Sequence, residues 1–134
     1  MRDFTVQSDN NYGTCVAVSM DGKPLRESKK VLIQCGTNTL PAGWQQSAAP
    51  ADGAAPEKKK GSENSDSLMK IESIGHAPWM MERVRMTATL SNVVLTKATA
   101  LDANGYSTGN VEIKRTDGKL TLTLPEDALH VVLE

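Results

Sequence analysis

Short runs of alternating apolar and polar side chains, separated by turn residues, recur along this chain. In residues 83–90 (RVRMTATL), Val84, Met86, Ala88 and Leu90 fall on one face and Arg83, Arg85, Thr87 and Thr89 on the other. That period of two predicts a strand with one face buried. Residues 12–20 alternate as well: Tyr12, Thr14, Val16, Val18 and Met20 share one face, while the smaller Cys15, Ala17 and Ser19 share the other. This is the pattern of a strand packed mainly on one side. Phe4 and Val6 mark a first strand over 3–8. The Asp21-Gly22 turn and Pro24 lead to an apolar run, Val31, Leu32, Ile33 and Cys35, closed by Gly36.

Further along, residues 68–75 (LMKIESIG) read as a strand that ends at 76–79, because Pro78 cannot donate to a ladder. Ser91-Asn92 is expected to turn the chain so that 93–101 runs back. Asn104-Gly105 and Asp117-Gly118 are hairpin signals, the second flanked by 111–114 and 120–124. Pro125-Glu126-Asp127 reads as a turn before a last strand over 129–133. No segment of ten residues carries a helical apolar period with caps. Roughly eight or nine strands spaced by turns predict an all-β protein, an antiparallel, immunoglobulin-like β-sandwich.

The middle of the chain breaks the pattern. Residues 40–44 (LPAGW) read as irregular, and 45–67 hold Ala, Pro, Gly, Ser, Lys and Glu with no large apolar side chain. Such a stretch cannot bury enough surface to offset its ordering entropy, so it is expected to be a mobile insertion. The flanks are each too short to close a sandwich alone, which argues for one domain over 1–134. Strand-like sequence directly after Met1 suggests a piece of something longer.

Composition narrows the partners. With 134 residues and a net charge of −1, the chain has no long-range attraction for phosphate, and no apolar run is long enough to span a bilayer as a helix. Nucleic acid and a membrane span are therefore not expected. Cys15 and Cys35 both fall in predicted strands; a disulfide across the sandwich and two small buried hydrophobes are the alternatives. No CxxC or HxxxH spacing is present, and His76 and His130 stand far apart, so neither a metal site nor a cofactor is expected.

Candidate chemistry is sparse. Asp102 and Asn104 lack the rest of a calcium loop, and Glu126 and Asp127 are adjacent in an extended chain, where side chains point apart. His130 alternates with apolar neighbours, and Lys58, Lys59 and Lys60 are balanced by Glu57 and Glu63. Tyr12, Trp44, Trp79 and Tyr106 are four of five aromatics, and Trp44, Trp79 and Tyr106 are the candidates for a sugar platform. No catalytic residue is assigned.

Four segments, VAVSMDGKPLRESKKVLIQCGT (16–37), IGHAPWMMERVRMTATL (74–90), ATALDANGYSTGNVEI (98–113) and LTLPEDALHVVL, resemble the C-terminal β-sandwich that follows the catalytic barrel in some bacterial glycoside hydrolases and related secreted proteins. His130 stands where that family is expected to carry Tyr. All four are strand-and-turn motifs. The resemblance implies a non-catalytic module of a larger, secreted or periplasmic bacterial protein that packs against and stabilises its catalytic domain. The family's catalytic acids lie in the barrel, so none carries over. A carbohydrate-binding module and a structural or adhesion module are the rival expectations.

Overall fold

The computed structural model describes residues 3–48 and 69–134, and no helix occurs among them. Of the expected insertion over 45–67, residues 49–67 lie outside the described residues, as do Lys58, Lys59 and Lys60. The described residues form two compact units, 3–38 with 81–134, and 39–48 with 69–80. In chain order the strands are β1 (Phe4–Ser8), β2 (Gly13–Ser19), β3 (Val31–Thr37), β4 (Thr39–Ala48), β5 (Met69–Met81) and β6 (Met86–Leu90). There follow β7 (Ala98–Leu101), β8 (Ser107–Val111), β9 (Lys114–Thr116), β10 (Lys119–Thr123) and β11 (His130–Leu133).

The first unit is a β-sandwich. One sheet has four strands in the order β1-β6-β10-β9, the other five in the order β2-β3-β11-β7-β8. All recorded pairings in these sheets are antiparallel. Alternation sends Met86, Ala88, Leu90, Leu120 and Leu122 inward from the first sheet. Val31, Ile33, Cys35, Ala98, Val131 and Leu133 point inward from the second. The two inner faces form one continuous core, the feature that makes a pair of sheets stable in water.

Several turns form where expected. Asp117 (φ 51°) and Gly118 (φ 73°) are both left-handed, as a two-residue hairpin between β9 and β10 requires. In the 102–106 turn, Asp102 Oδ1 accepts from the backbone N–H groups of Asn104 and Tyr106, so this side chain is a turn organiser.

Four expectations about the strands need correction. Ser91-Asn92 does not turn the chain into a hairpin; residues 91–97 carry it from β6 to β7 in the opposite sheet. Buried Asn92 is the reason this crossing holds. Its Nδ2 donates to Leu25 O (2.7 Å) and Ser28 O (2.9 Å), while its Oδ1 accepts from Val94 N (2.8 Å) and Leu95 N (3.1 Å). Both protons and both lone pairs of the amide are used, which ties the 91–97 crossing to the 21–30 loop.

Residues 40–44 are not irregular, and Pro78 does not end a strand. The second unit is a two-stranded ribbon of β4 and β5, with β4 taking in residues 39–48 and β5 running through Pro78. In a ribbon of two strands each strand has one unpaired edge, so a residue without an N–H can face outward at no loss to the ladder. The sequence stretch 45–48, expected to be loop, is part of β4.

The loop between β2 and β3 is held by one carboxylate. Asp21 accepts from Ser19 Oγ (2.8 Å), Ser28 Oγ (2.8 Å), Lys29 N (2.8 Å) and Lys23 N (3.3 Å). These donors hold the Asp21 carboxyl well below its usual range, with the Lys29 N–H the largest cause. A depressed folded-state pKa contributes stability above the unfolded value, and that contribution fades as the pH falls through it. Asp21→Asn is therefore expected to be less stable than the parent at neutral pH, with the gap narrowing below about pH 4. Denaturant unfolding across that pH range measures it; a gap independent of pH would contradict this role.

Candidate functional site

The two outward faces of the sandwich differ in chemistry. On the four-stranded sheet, the register aligns Thr5, Thr89, Thr121 and Lys114 in one row, and Gln7, Thr87 and Thr123 in the next. Thr89 and Thr121 hydroxyls are in contact at 3.1 Å. This is a water-facing surface, as expected where an antiparallel sheet meets solvent. A shallow depression of about 290 Å³ lies beside it, lined in part by Asp9, Arg85, Thr87 and Glu126. Two of its three charges are engaged: Arg85 pairs with Glu82, and Glu126 pairs with Arg83 at 2.9 Å. The depression is small for a ligand pocket, and its apolar lining is limited to Val84, Met86 and Leu124.

The outward face of the five-stranded sheet mixes aliphatic side chains with uncharged polar ones and His130. One row across it reads Val18, Leu32, Val132, Thr99 and Asn110; the next reads Val16, Gln34, His130 and Leu101. These positions carry no acidic or lysine or arginine side chain. Val16 (52% exposed), Val18 (49%) and Met20 (54%) extend the apolar surface along β2. Lys30 and Glu134 form a 2.7 Å ion pair at one end, and the Lys30 ammonium lowers the Glu134 carboxyl's pKa. Apolar centre and charged rim are the anatomy of a contact surface.

The one-sided packing expected of β2 holds with an unexpected polarity. Cys15, Ala17 and Ser19, the small residues, face the interior, and the large aliphatic ones face out. Strand β2 is also an edge, joined to β3 alone in its sheet. It carries no charge and no proline. Two of the other edges are guarded: β9 is three residues long with Lys114 and Arg115, and β8 pairs with β7 through a register shift, whereas β1, the remaining edge of the sandwich, is as uncharged as β2. Charge, shortness and bulges are the usual protections of an edge, and β2 has none of them.

The sugar-platform candidates belong to different elements. Tyr106 (72% exposed) lies on the turn between β7 and β8 of the sandwich, whereas Trp44 and Trp79 belong to the ribbon. Trp44 is half-buried, and its Nε1 donates to Gln46 Oε1. Gly75 lies against the backbone of Ala42 and Trp44, so Trp79, four residues further along, is offset from Trp44 by roughly 13 Å along the ribbon. Tyr12 is exposed just before β2.

His130 faces outward between Gln34 and Leu101, and His76 Nδ1 contacts Ala77 O at 2.7 Å. No group of three or more His, Cys, Asp or Glu suited to a metal occurs among the described residues. No helix of the described residues is long and apolar enough to cross a membrane.

Cys15 and Cys35 are not on facing sheets; they are direct partners on neighbouring β2 and β3, so a bridge across the sandwich does not fit. Their free thiols stand 3.3 Å apart.

Compared with protein-family models, curated proteins and solved structures, the chain gives no match.

The aliphatic cluster was present in the sequence as Val16, Val18 and Met20. What concealed it was the usual rule that the larger apolar set of a strand faces the core.

Proposed function

We propose that this chain is a non-catalytic β-sandwich module of a larger, secreted bacterial carbohydrate-active protein of the glycoside-hydrolase-like kind. In this reading the outer face of the five-stranded sheet packs on the neighbouring catalytic domain and stabilises it. The observation that carries the reading is the contrast between the two outward faces: threonines with Gln7 and Lys114 on one, and on the other Val16, Val18, Leu32, Leu101 and Val132 clustered among Gln34, His130, Thr99 and Asn110. A solvent-facing sheet gains nothing from a row of valines and leucines, but a docked one buries them. The four resembling segments supply the class of parent protein, and Glu126 and Asp102, two of the carboxylates, are engaged within the module, by Arg83 and by the 102–106 turn.

The test joins the chain to its parent catalytic domain through a protease-cleavable linker. After cleavage the two parts are expected to stay together, and the double variant Val18→Asp, Val132→Asp is expected to separate them. The variant module alone is expected to lose about 1–2 kcal/mol, because Asp is a poor strand residue and Val132 is half-buried on β11, and to remain folded, which denaturant unfolding checks. Retention of the complex by the variant would overturn the docking face. Tight binding to a polysaccharide that is lost in Trp79→Ala would favour the sugar-binding module instead.

A further inference from the structure

We propose that Cys15 and Cys35 are a reversible oxidation site that closes within one sheet as a disulfide between β2 and β3, at the expense of a small-molecule disulfide such as oxidised glutathione. Three observations place it. First, the register makes Cys15 and Cys35 direct cross-strand partners. Second, Cys35 N donates to Leu129 O on the far side, toward β11, so Cys35 does not exchange backbone bonds with Cys15. A non-hydrogen-bonded antiparallel pair brings Cα atoms to about 4.5 Å, inside the roughly 4.4–6.8 Å window of disulfides. Third, both side chains point to the same side of the sheet with sulfurs 3.3 Å apart. Only a small side-chain rotation separates this contact from a bond, whose length is about 2.05 Å.

The two thiols have different parts in the exchange. Cys35 is buried, while Cys15 is partly exposed on the edge strand. The Cys35 S–H donates to the Cys15 sulfur, which lowers the Cys15 pKa and raises that of Cys35. Cys15, as thiolate, attacks one sulfur of oxidised glutathione; a mixed disulfide forms and one glutathione thiolate leaves. Cys35 then gives up its proton and attacks the Cys15 sulfur, and the second glutathione thiolate leaves. Two protein thiols are oxidised, one small-molecule disulfide is reduced to two thiols, and excess reduced glutathione runs the sequence backward. The product staples the unguarded edge strand to its neighbour.

Native protein is incubated with oxidised glutathione at mildly alkaline pH, quenched in acid, unfolded, and treated with a maleimide before intact-mass measurement. The expected product is monomeric, has lost two hydrogens, takes up no maleimide and carries no glutathione. Cys35→Ser is expected to stop at a stable glutathione adduct on Cys15, and Cys15→Ser to react many-fold more slowly. Reduced glutathione should restore two maleimide-reactive thiols. Two thiols still reactive after oxidation, a lasting adduct on the parent protein, or a disulfide-linked dimer would each overturn the proposal. So would closure that occurs only when the oxidant is added in denaturant.

Discussion

Asn92→Ala is expected to lower the unfolding free energy by about 3 kcal/mol, although the position reads from sequence as an ordinary turn. Truncation deletes two donors and two acceptors at once, leaving Leu25 O, Ser28 O, Val94 N and Leu95 N without the amide. The site is nearly closed to water, with Asn92 1% exposed, so solvent is poorly placed to replace the lost bonds. Asn92→Asp separates hydrogen bonding from shape. The variant keeps an acceptor for Val94 and Leu95 but presents a second oxygen to two carbonyls, and is expected to be at least as destabilised as Asn92→Ala. Denaturant unfolding of both variants measures this. A loss under about 1 kcal/mol in each would show that the crossing between the sheets does not depend on this side chain.

Leu90→Ala is expected to cost about 3 to 4 kcal/mol. Leu90 is fully buried in β6 between Phe4 of β1 and Leu120 of β10, so the deleted atoms leave a cavity bounded by two other strands. Strands on both sides fix its backbone and restrict collapse into that space. The neighbouring Thr89→Ala, on the outward face of the same strand, is the internal control and is expected to change stability by about 0.5 kcal/mol or less. Equal losses at the two positions would mean that the faces of β6 were assigned the wrong way round.

Those two residues also mark how far the sequence could be read. The all-β class and antiparallel strands were legible because Val84 to Leu90 alternate cleanly and Asp117-Gly118 permits one tight turn. The partner of β6 was not legible, since period-two alternation says which face is buried and nothing about which strand lies alongside. Asn92 reads from sequence as a local turn residue because its four partners come from two segments, one of them more than 60 positions away. Pro78 misled for a related reason: its missing donor excludes a central strand, and β5 has only one partner.

The candidate surface was legible only in composition. Val16, Val18 and Met20 could be grouped on one face, but their outward direction depends on β3 and β11 contributing Leu32 and Val132 beside them. The cysteine pair was legible as a pair and not as a geometry. Its register follows from the length of the 20–30 connection, which Asp21 and Ser28 shape through hydrogen bonds that no spacing rule encodes.

β11 lies between β3 and β7 at the centre of its sheet, although residues 130–133 come after all the other strands in sequence. Likewise β1 must find β6, as in the pairing of Phe4 with Leu90. Pairings across such long stretches of chain are slow to nucleate, and domains dominated by them fold in milliseconds to seconds. During synthesis, β3 and β7 therefore emerge with open flanks and wait for the segment that joins them. Productive assembly of this sheet thus waits for residues 130–133, and its vulnerability to mispairing is greatest before that segment leaves the ribosome.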